Sequence, residues 1–329
     1  MNIQDEYNHP VGEDRAWSES YYFNFYDPAS GLGMFTRMGL RPNEGWCDGL
    51  HAVYLGGDRV AFTYSRENLP GMTDNLQVGG LKLERLDPFK RWAVSYKGPA
   101  QDVPDAAVMI TRRRERPEGW FRPAELDMLV EFEALTEPHY AGAGQRGHFE
   151  QTGAVKGTIR VDDMAWDVSG WGVRDKSWGP RTWQSSGQAG ERKAPSAPSA
   201  GPSPFTVWFS MNWGADMALG CGCGPNADGE LVGRGWVQNG KTIQDLAEVR
   251  VTGSTYKPDS ILHTGMNIDA VAADGTSYAI KGDVMTICPT KIPMAAGATF
   301  VNEGLARFIL GDRAGYGIAE YWHAVEVAD

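Results

Sequence analysis

Period-two alternation, cut at short intervals by turn residues, recurs along this chain and limits its fold more than any other feature. Tyr21 to Tyr26 runs into Asp27-Pro28, Val53 to Leu55 runs into Gly56-Gly57, and Val60 to Tyr64 follows at once. Such alternation sends successive side chains to opposite faces, as a half-buried strand requires, and the turn pairs mark hairpins. Leu126 to Ala134, Val155 to Val161, Trp166 to Val168, Thr206 to Trp213, Ala218 to Cys223, Leu246 to Val251, Tyr278 to Gly282 and Gly315 to Trp322 continue the pattern. Their spacing is that of an antiparallel barrel or sandwich. No long stretch carries a 3.6-residue period, and near Ala124 the alternation of Glu131-Phe132-Glu133 favours a strand. The expectation is an all-β chain with few short helices.

Length and composition set the scale. With 329 residues, 42% of them hydrophobic, the chain can fill two cores of ordinary size. Gly187 to Pro204, reading GQAGERKAPSAPSAGPSP, lacks the large apolar residues that a core strand needs. It reads as a linker or a long loop, which gives an N-terminal domain over 1–186, the linker or loop over 187–204 and a C-terminal domain over 205–329. The net charge of -11 and a pI near 5.1 weigh against nucleic acid or an anionic membrane as partner, since both demand a basic surface. Arg112-Arg113-Arg114 is followed directly by Glu115 and fits a solvated turn. The polar, acidic opening lacks the apolar stretch of a secretory signal, and nothing approaches the roughly 18 apolar residues of a membrane span. A cytoplasmic protein is therefore expected. Cys47, Cys221, Cys223 and Cys288 have the spacing of neither a disulfide scaffold nor a zinc knuckle. No phosphate loop or nucleophile elbow is present, so no cofactor, metal or nucleotide is expected; the oligomeric state leaves no trace.

The stretch from His148 to Trp183 carries the most geometric information. If Asp162-Asp163 is a two-residue hairpin loop, Val161 pairs with Met164 and the register is fixed outward from there. Glu150 then lies opposite Asp175 and His148 opposite Ser177, all on one face, with cross-strand Cβ separations of roughly 5 Å. Gly170 and Gly172 leave an alternative open: a bulge at either would set Arg174 opposite Glu150 and make an ion pair.

These residues also carry a resemblance. His148, Gly153, Gly157, Trp171 or its neighbours, Asp175, Trp178 and Gly179 resemble the AttH/carotenoid 1,2-hydratase (CrtC-like) family, whose pattern is two spaced glycines, a hairpin and Trp-x-x-Asp-x-x-Trp-Gly. An uncharacterised bacterial branch of that group is closer still, through YYFNFYDPASGLGMFTRMGLRPNEG at Tyr21 to Gly45, GVRDKSWGPRTW at Gly172 to Trp183 and WFSMNW at Trp208 to Trp213. Ser177 stands where the better-known hydratases commonly carry glutamate. The resemblance implies two lipocalin-like domains, a site between or within them, no cofactor, and hydration or cyclisation of isoprenoid-like or polyketide-like molecules.

The residues can be tested against that chemistry directly. Hydrating a trisubstituted alkene needs a neutral acid to protonate carbon and aromatic faces to shelter the resulting cation. Burial and a like-charged neighbour raise a carboxyl pKa, so Asp175 near Glu150 is the candidate acid and His148 its proton supply. Trp178, Trp208, Trp213 and Trp236 are candidate pocket rings in a chain with 12 tryptophans, 12 tyrosines and 12 phenylalanines. Asn212, Tyr22, Asn24, Asn43, Glu44 and Arg181 complete the candidate binding set. Structural roles compete with each assignment: Asp175 as a salt-bridge or turn residue, Arg181 as a bidentate lock on a carboxylate, the tryptophans as core. Two clusters combine acid and histidine elsewhere, Asn43-Glu44 with Asp48 and His51, and Glu320-Tyr321-Trp322-His323. In the second, alternation splits Glu320 and Trp322 from Tyr321 and His323, which favours a structural role. The expected function is a cofactor-independent hydratase or cyclase acting on an apolar small molecule. The alternatives are a non-catalytic carrier of a hydrophobic ligand and a pericyclase working by confinement.

Overall fold

The computed structural model describes residues 2–182, 202–294 and 297–325. The linker or loop expected over 187–204 therefore lies outside the described residues except for its last three. Helix among the described residues is limited to four short 3-10 turns, at Ile3–Glu6, Pro42–Glu44, Ala106–Ile110 and Arg113–Glu115. No described helix is long and apolar enough to cross a membrane.

Eleven strands form a first sheet: β1 (Trp17–Asp27), β2 (Leu32–Arg41), β3 (Trp46–Tyr54), β4 (Val60–Asn68), β5 (Gln77–Val78), β6 (Leu81–Asp87), β7 (Arg91–Val103), β8 (Arg122–Ala134), β9 (His139–Gly142), β10 (Gly147–Val161) and β11 (Met164–Pro180). Eight more follow: β12 (Thr206–Asn212), β13 (Met217–Pro225), β14 (Leu231–Asn239), β15 (Thr242–Tyr256), β16 (His263–Ala272), β17 (Ser277–Met294), β18 (Gly297–Leu310) and β19 (Arg313–Val325). In the first sheet the path β4-β3-β2-β1-β11-β10-β8-β7 returns on itself, because Val60 to Phe62 of β4 also pair with Gln101 to Val103 of β7. The second set closes into an eight-stranded barrel in chain order. The fold is thus all-β and lipocalin-like in both halves.

Each barrel is filled by its own inward-facing side chains. Phe23, Trp92, Val130, Phe132 and Ile159 pack inside the first, and Phe209, Met211, Val249, Ile268 and Phe308 inside the second. A third cluster joins outward-facing residues of both, with Tyr22, Tyr26, Phe35 and Tyr54 meeting Cys288, Leu305 and Ile318. This explains why β1 is buried along its whole length: odd positions such as Tyr21 and Phe23 enter the first core, and even positions such as Tyr22 and Tyr26 face the second barrel.

Inside the first barrel, beneath β11, sit charges rather than a ligand space. Arg174 Nη2 donates to Glu6 Oε2 at 2.9 Å and Lys176 pairs with Glu19, all four side chains almost wholly buried. Trp92 Nε1 also donates to Glu6, at 2.7 Å. Burying ions is costly unless each finds its partner, and here the N-terminal turn Ile3–Glu6 supplies one of those partners while plugging the barrel.

The β10–β11 hairpin runs in unbroken register from Val161 opposite Met164 to Glu150 opposite Asp175 and His148 opposite Ser177. Gly170 and Gly172 do not bulge; they let the β1 backbone come close. A Cβ at Gly172 would lie 1.7 Å from the Asn24 carbonyl oxygen. Gly172→Ala should therefore weaken the β1–β11 pairing and cost roughly 3 kcal/mol, the upper range of overpacking. Gly222→Ala, whose methyl meets nothing within 4 Å, should leave the chemical denaturation midpoint unchanged or slightly raised.

Candidate active site

Alternation along the hairpin decides which side chains enter the barrel and which leave it. Arg174 and Lys176 point in; His148, Glu150, Asp175 and Ser177 point out, toward the second barrel. His148 Nε2 lies 2.5 Å from Asp175 Oδ2 and 3.5 Å from Glu150 Oε1. Glu150 is clamped from the far side: Trp208 Nε1 donates to its Oε1 and Trp236 Nε1 to its Oε2, each at 2.6 Å. The ring of Trp236 can lie there because Gly220, opposite it on β13, has no side chain; a Cβ would meet the indole at 2.5 Å.

His148, Asp175, Ser177 and Trp208 border a cleft of about 1310 Å³ between the two barrels, whereas Glu150 and the candidate ring Trp236 are off its lining. Its walls carry the rings of Tyr22, Phe62, Trp178, Trp208 and Trp322, together with Ser18, His148, Asp175, Arg181, Glu303 and Glu320. Arg37, Arg41, Arg66, Arg116, Arg146 and Lys291 also reach it. The cleft therefore mixes aromatic and charged surface, where the sequence pointed to a pocket of aromatic rings for an apolar molecule.

The charges correct the acid assignment. Burial alone would raise the Asp175 carboxyl, but the adjacent His148, by charge and hydrogen bond, and then Arg181 and Lys176 hold it below its usual range. Burial works against the charged imidazole of His148, yet Asp175 and Glu150 outweigh it and raise its pKa to about 9. Glu150 is raised, chiefly by burial, against the pull of His148 and the two indoles. These influences favour an ionised Asp175 beside an imidazolium over the neutral acid expected from its proximity to Glu150. The wedge that reverses the expectation is the His148 ring, which sits between the carboxylates.

The remaining candidates divide. Tyr22 and Trp178 face the cleft; Tyr22 Oη donates to Glu303 Oε2 at 2.9 Å, and Trp178 stacks on His9 with centroids 4.1 Å apart. Arg181 Nη1 donates to Ser177 Oγ at 3.1 Å. Glu44 reaches the rim, accepting from Trp46 Nε1 at 2.8 Å. Asn43 instead ties the N-terminal segment, its Nδ2 donating to the carbonyls of Gly12 and Asp14 at 2.7 and 2.8 Å. Asn24 Oδ1 accepts from the Val173 amide at 3.3 Å and from Ser210 Oγ at 3.2 Å, between the barrels but off the cleft wall. Asn212 and Trp213 are also off that wall: both are buried, and Trp213 packs in the second core with its Nε1 on the Phe308 carbonyl at 3.2 Å. His51 is fully buried against Tyr96, and Asp48 pairs with Arg37 at 2.7 Å, so neither joins Asn43 in a site.

Glu303 was not singled out in the sequence, and Glu320 was read as structural. Glu303 and Glu320 face each other across β18 and β19 on the cleft wall. Counting outward from the Gly311-Asp312 turn, where Leu310 pairs with Arg313, finds that pairing by the same arithmetic used for the first hairpin. Glu320 belongs to the terminal cluster read as structural; its acidic neighbour lies across the hairpin, not along its own strand.

His148, Glu150 and Asp175 are also the one group among the described residues whose ligand atoms cluster tightly enough for a metal ion, all within 4.8 Å. Both Glu150 oxygens already accept indole N–H bonds, which leaves His148 and Asp175 as the donors better placed for one.

Folding gives His148 a raised pKa, so its contribution to stability is full below about 6.5, its ordinary value, and is lost as pH climbs through about 9. Thermal unfolding across that window should show wild type losing its advantage over His148→Gln as pH rises; a constant gap would contradict the pairing.

Solved structures share this architecture. An AttH-type protein from Nitrosomonas europaea superposes with a TM-score of 0.55 at 11% identity, over 93% of this chain and 92% of that one. Kievitone hydratase from Nectria haematococca gives 0.54 at 9% identity, over 94% and 90%. At such identities the likeness is one of fold. The sequence itself matches the family described as a domain of unknown function, DUF7064, over residues 2–325, and the chain belongs to that family.

Proposed function

We propose that this protein is a cofactor-independent lyase of the hydratase or cyclase type, which protonates an unsaturated small molecule held between the barrels and steers the fate of the cation. The observation that carries this reading is the set His148, Glu150 and Asp175, locked in geometry by the hairpin and by two indoles, with His148 and Asp175 opening on a cleft large enough for a substrate. Structural charges are ordinarily spent on partners, as Arg174 and Lys176 are; His148 and Asp175 retain 31% and 20% side-chain exposure toward the cleft.

In this reading the substrate has an unsaturated apolar body, isoprenoid-like or polyketide-like, that lies against Tyr22, Trp178, Trp208 and Trp322. The basic side chains at the cleft suit a polar or acidic end. Aromatic faces attract the cationic intermediate without forming a bond to it. The Asp175 carboxylate adds charge stabilisation and takes the proton from the attacking water or from the cation itself. An oxonium or tertiary cation is acidic enough to surrender a proton even to a carboxylate of lowered pKa. His148 holds Asp175 in place and prevents it from collapsing onto Arg181. The filled interiors of both barrels support this reading over a carrier that would hold its ligand inside a calyx.

The test begins with mass spectrometry of organic molecules that co-purify with the protein, followed by turnover of the identified compound or its close analogues in heavy-oxygen water. A hydratase transfers heavy oxygen to product; a cyclase gives product of unchanged mass. Asp175→Asn should retain ligand binding and lower turnover by about 10²- to 10⁴-fold, the usual range for a positioned acid or base. Bound ligand recovered unchanged from wild type would leave the carrier reading in its place.

A further inference from the structure

We propose that Glu303 and Glu320 form a proton-sharing carboxyl pair that delivers the initiating proton to the substrate from the wall opposite Asp175. The inference rests on the function proposed above and names the acid that the hairpin set does not supply, since Asp175 is ionised and an imidazolium beside two carboxylates is a weak donor.

The geometry is specific. Trp208, Glu320 and Glu303 occupy successive paired positions on β12, β19 and β18, all on the outer face of the second barrel. The register sets the two carboxyl groups opposite one another on the cleft wall, close enough for each to act on the other's ionisation. Two carboxylates facing one another repel when both are ionised, and a proton shared between them relieves that repulsion. Neighbouring donors settle where it resides. Glu320 accepts the indole N–H of Trp322, and Arg181 lends it positive charge, both of which favour the ionised form. Glu303 is 5% exposed and accepts the Tyr22 hydroxyl; burial and the charge of Glu320 raise it well above the usual carboxyl range. Glu303 therefore carries the proton and donates it to Glu320 at rest.

A second observation points to a ligand here. Ser18 lines the same cleft from β1, is 2% exposed, and its hydroxyl makes no hydrogen bond among the described residues. A buried hydroxyl left unpaired costs about 1–3 kcal/mol, a cost that a bound polar group or water of the reaction removes.

The step balances without any co-reactant besides water. The alkene π pair forms a C–H bond to the Glu303 proton as its O–H bond breaks, leaving a tertiary cation and a second carboxylate. In hydration, water oxygen bonds to the cation and its surplus proton passes to Asp175; in cyclisation, a second double bond attacks and an adjacent C–H proton is released there. Solvent then returns one proton from Asp175 to the pair.

Infrared difference spectroscopy reads the pair without a substrate. A protonated carboxyl C=O band should be present at neutral pH in wild type and absent in Glu303→Gln; no such band in wild type overturns the proposal. Glutamine reproduces the shape of a neutral carboxyl, so the variant is expected to fold, and retained thermal stability checks this. With the substrate identified above, Glu303→Gln should lose at least 100-fold in turnover and Glu303→Asp should recover part of it. If Asp175→Asn is inactive and Glu303→Gln fully active, the acid assigned here is wrong and the proposed function stands. If both variants turn over as fast as wild type, or wild type itself does not turn over, the function falls and this inference with it.

Discussion

The grip of two indoles on the Glu150 carboxylate is the interaction on which the rest of the arrangement depends. The β10–β11 register sends Glu150 outward from the first barrel, and Trp208 and Trp236 reach it from the second. A carboxylate there loses hydration that only good donors can replace; hydrogen bonds to charged groups are worth about 1.5–3 kcal/mol each. The clamp fixes how the two barrels face one another near the hairpin, holds the tryptophan rings edge-on to the charge, and leaves His148 and Asp175 at the border of the cleft.

Charge is segregated by the pleat. On one face of β11 the cations Arg174 and Lys176 are neutralised inside the barrel by Glu6 and Glu19, where they brace the fold. On the other face Asp175 meets His148 with access to the cleft. The second barrel is arranged differently, with no charged residue in its core cluster and the buried Glu303 and half-buried Glu320 on its outer face. Arg181 acts electrostatically on both Asp175 and Glu320, so the two sets of titratable groups are coupled across the cleft rather than independent.

Much of this was legible in the sequence where local rules leave little freedom. A two-residue turn at Asp162-Asp163 and strict alternation suffice to place His148, Glu150, Asp175 and Ser177 on one face. The same rule separates Trp208 from Trp213, which stand on opposite faces of one segment, so the choice of both as pocket rings was inconsistent with the pattern itself. Glu303 opposite Glu320 was equally accessible but requires comparison across a hairpin instead of along a strand. The ionisation of Asp175 was not legible: it depends on where a ring two positions away, on the neighbouring strand, comes to rest. Nor could the sequence distinguish a glycine bulge from a close approach, because both need the same missing Cβ, and only the neighbouring strand β1 decides between them at Gly172.

Both barrels being filled also changes what a lipocalin-like half means here. The chemistry-bearing side chains lie outside the barrels, on faces that are complete only when the halves meet. The most direct measurement of that claim is the ¹H–¹⁵N spectrum of the tryptophan indoles in wild type and Glu150→Leu. The account predicts that the signals of Trp208 and Trp236, assigned by substitution, lie downfield, exchange slowly with solvent, and both move when Glu150 is replaced. Signals that stay in place would mean the indoles do not hold the carboxylate, and the site built around it would not exist.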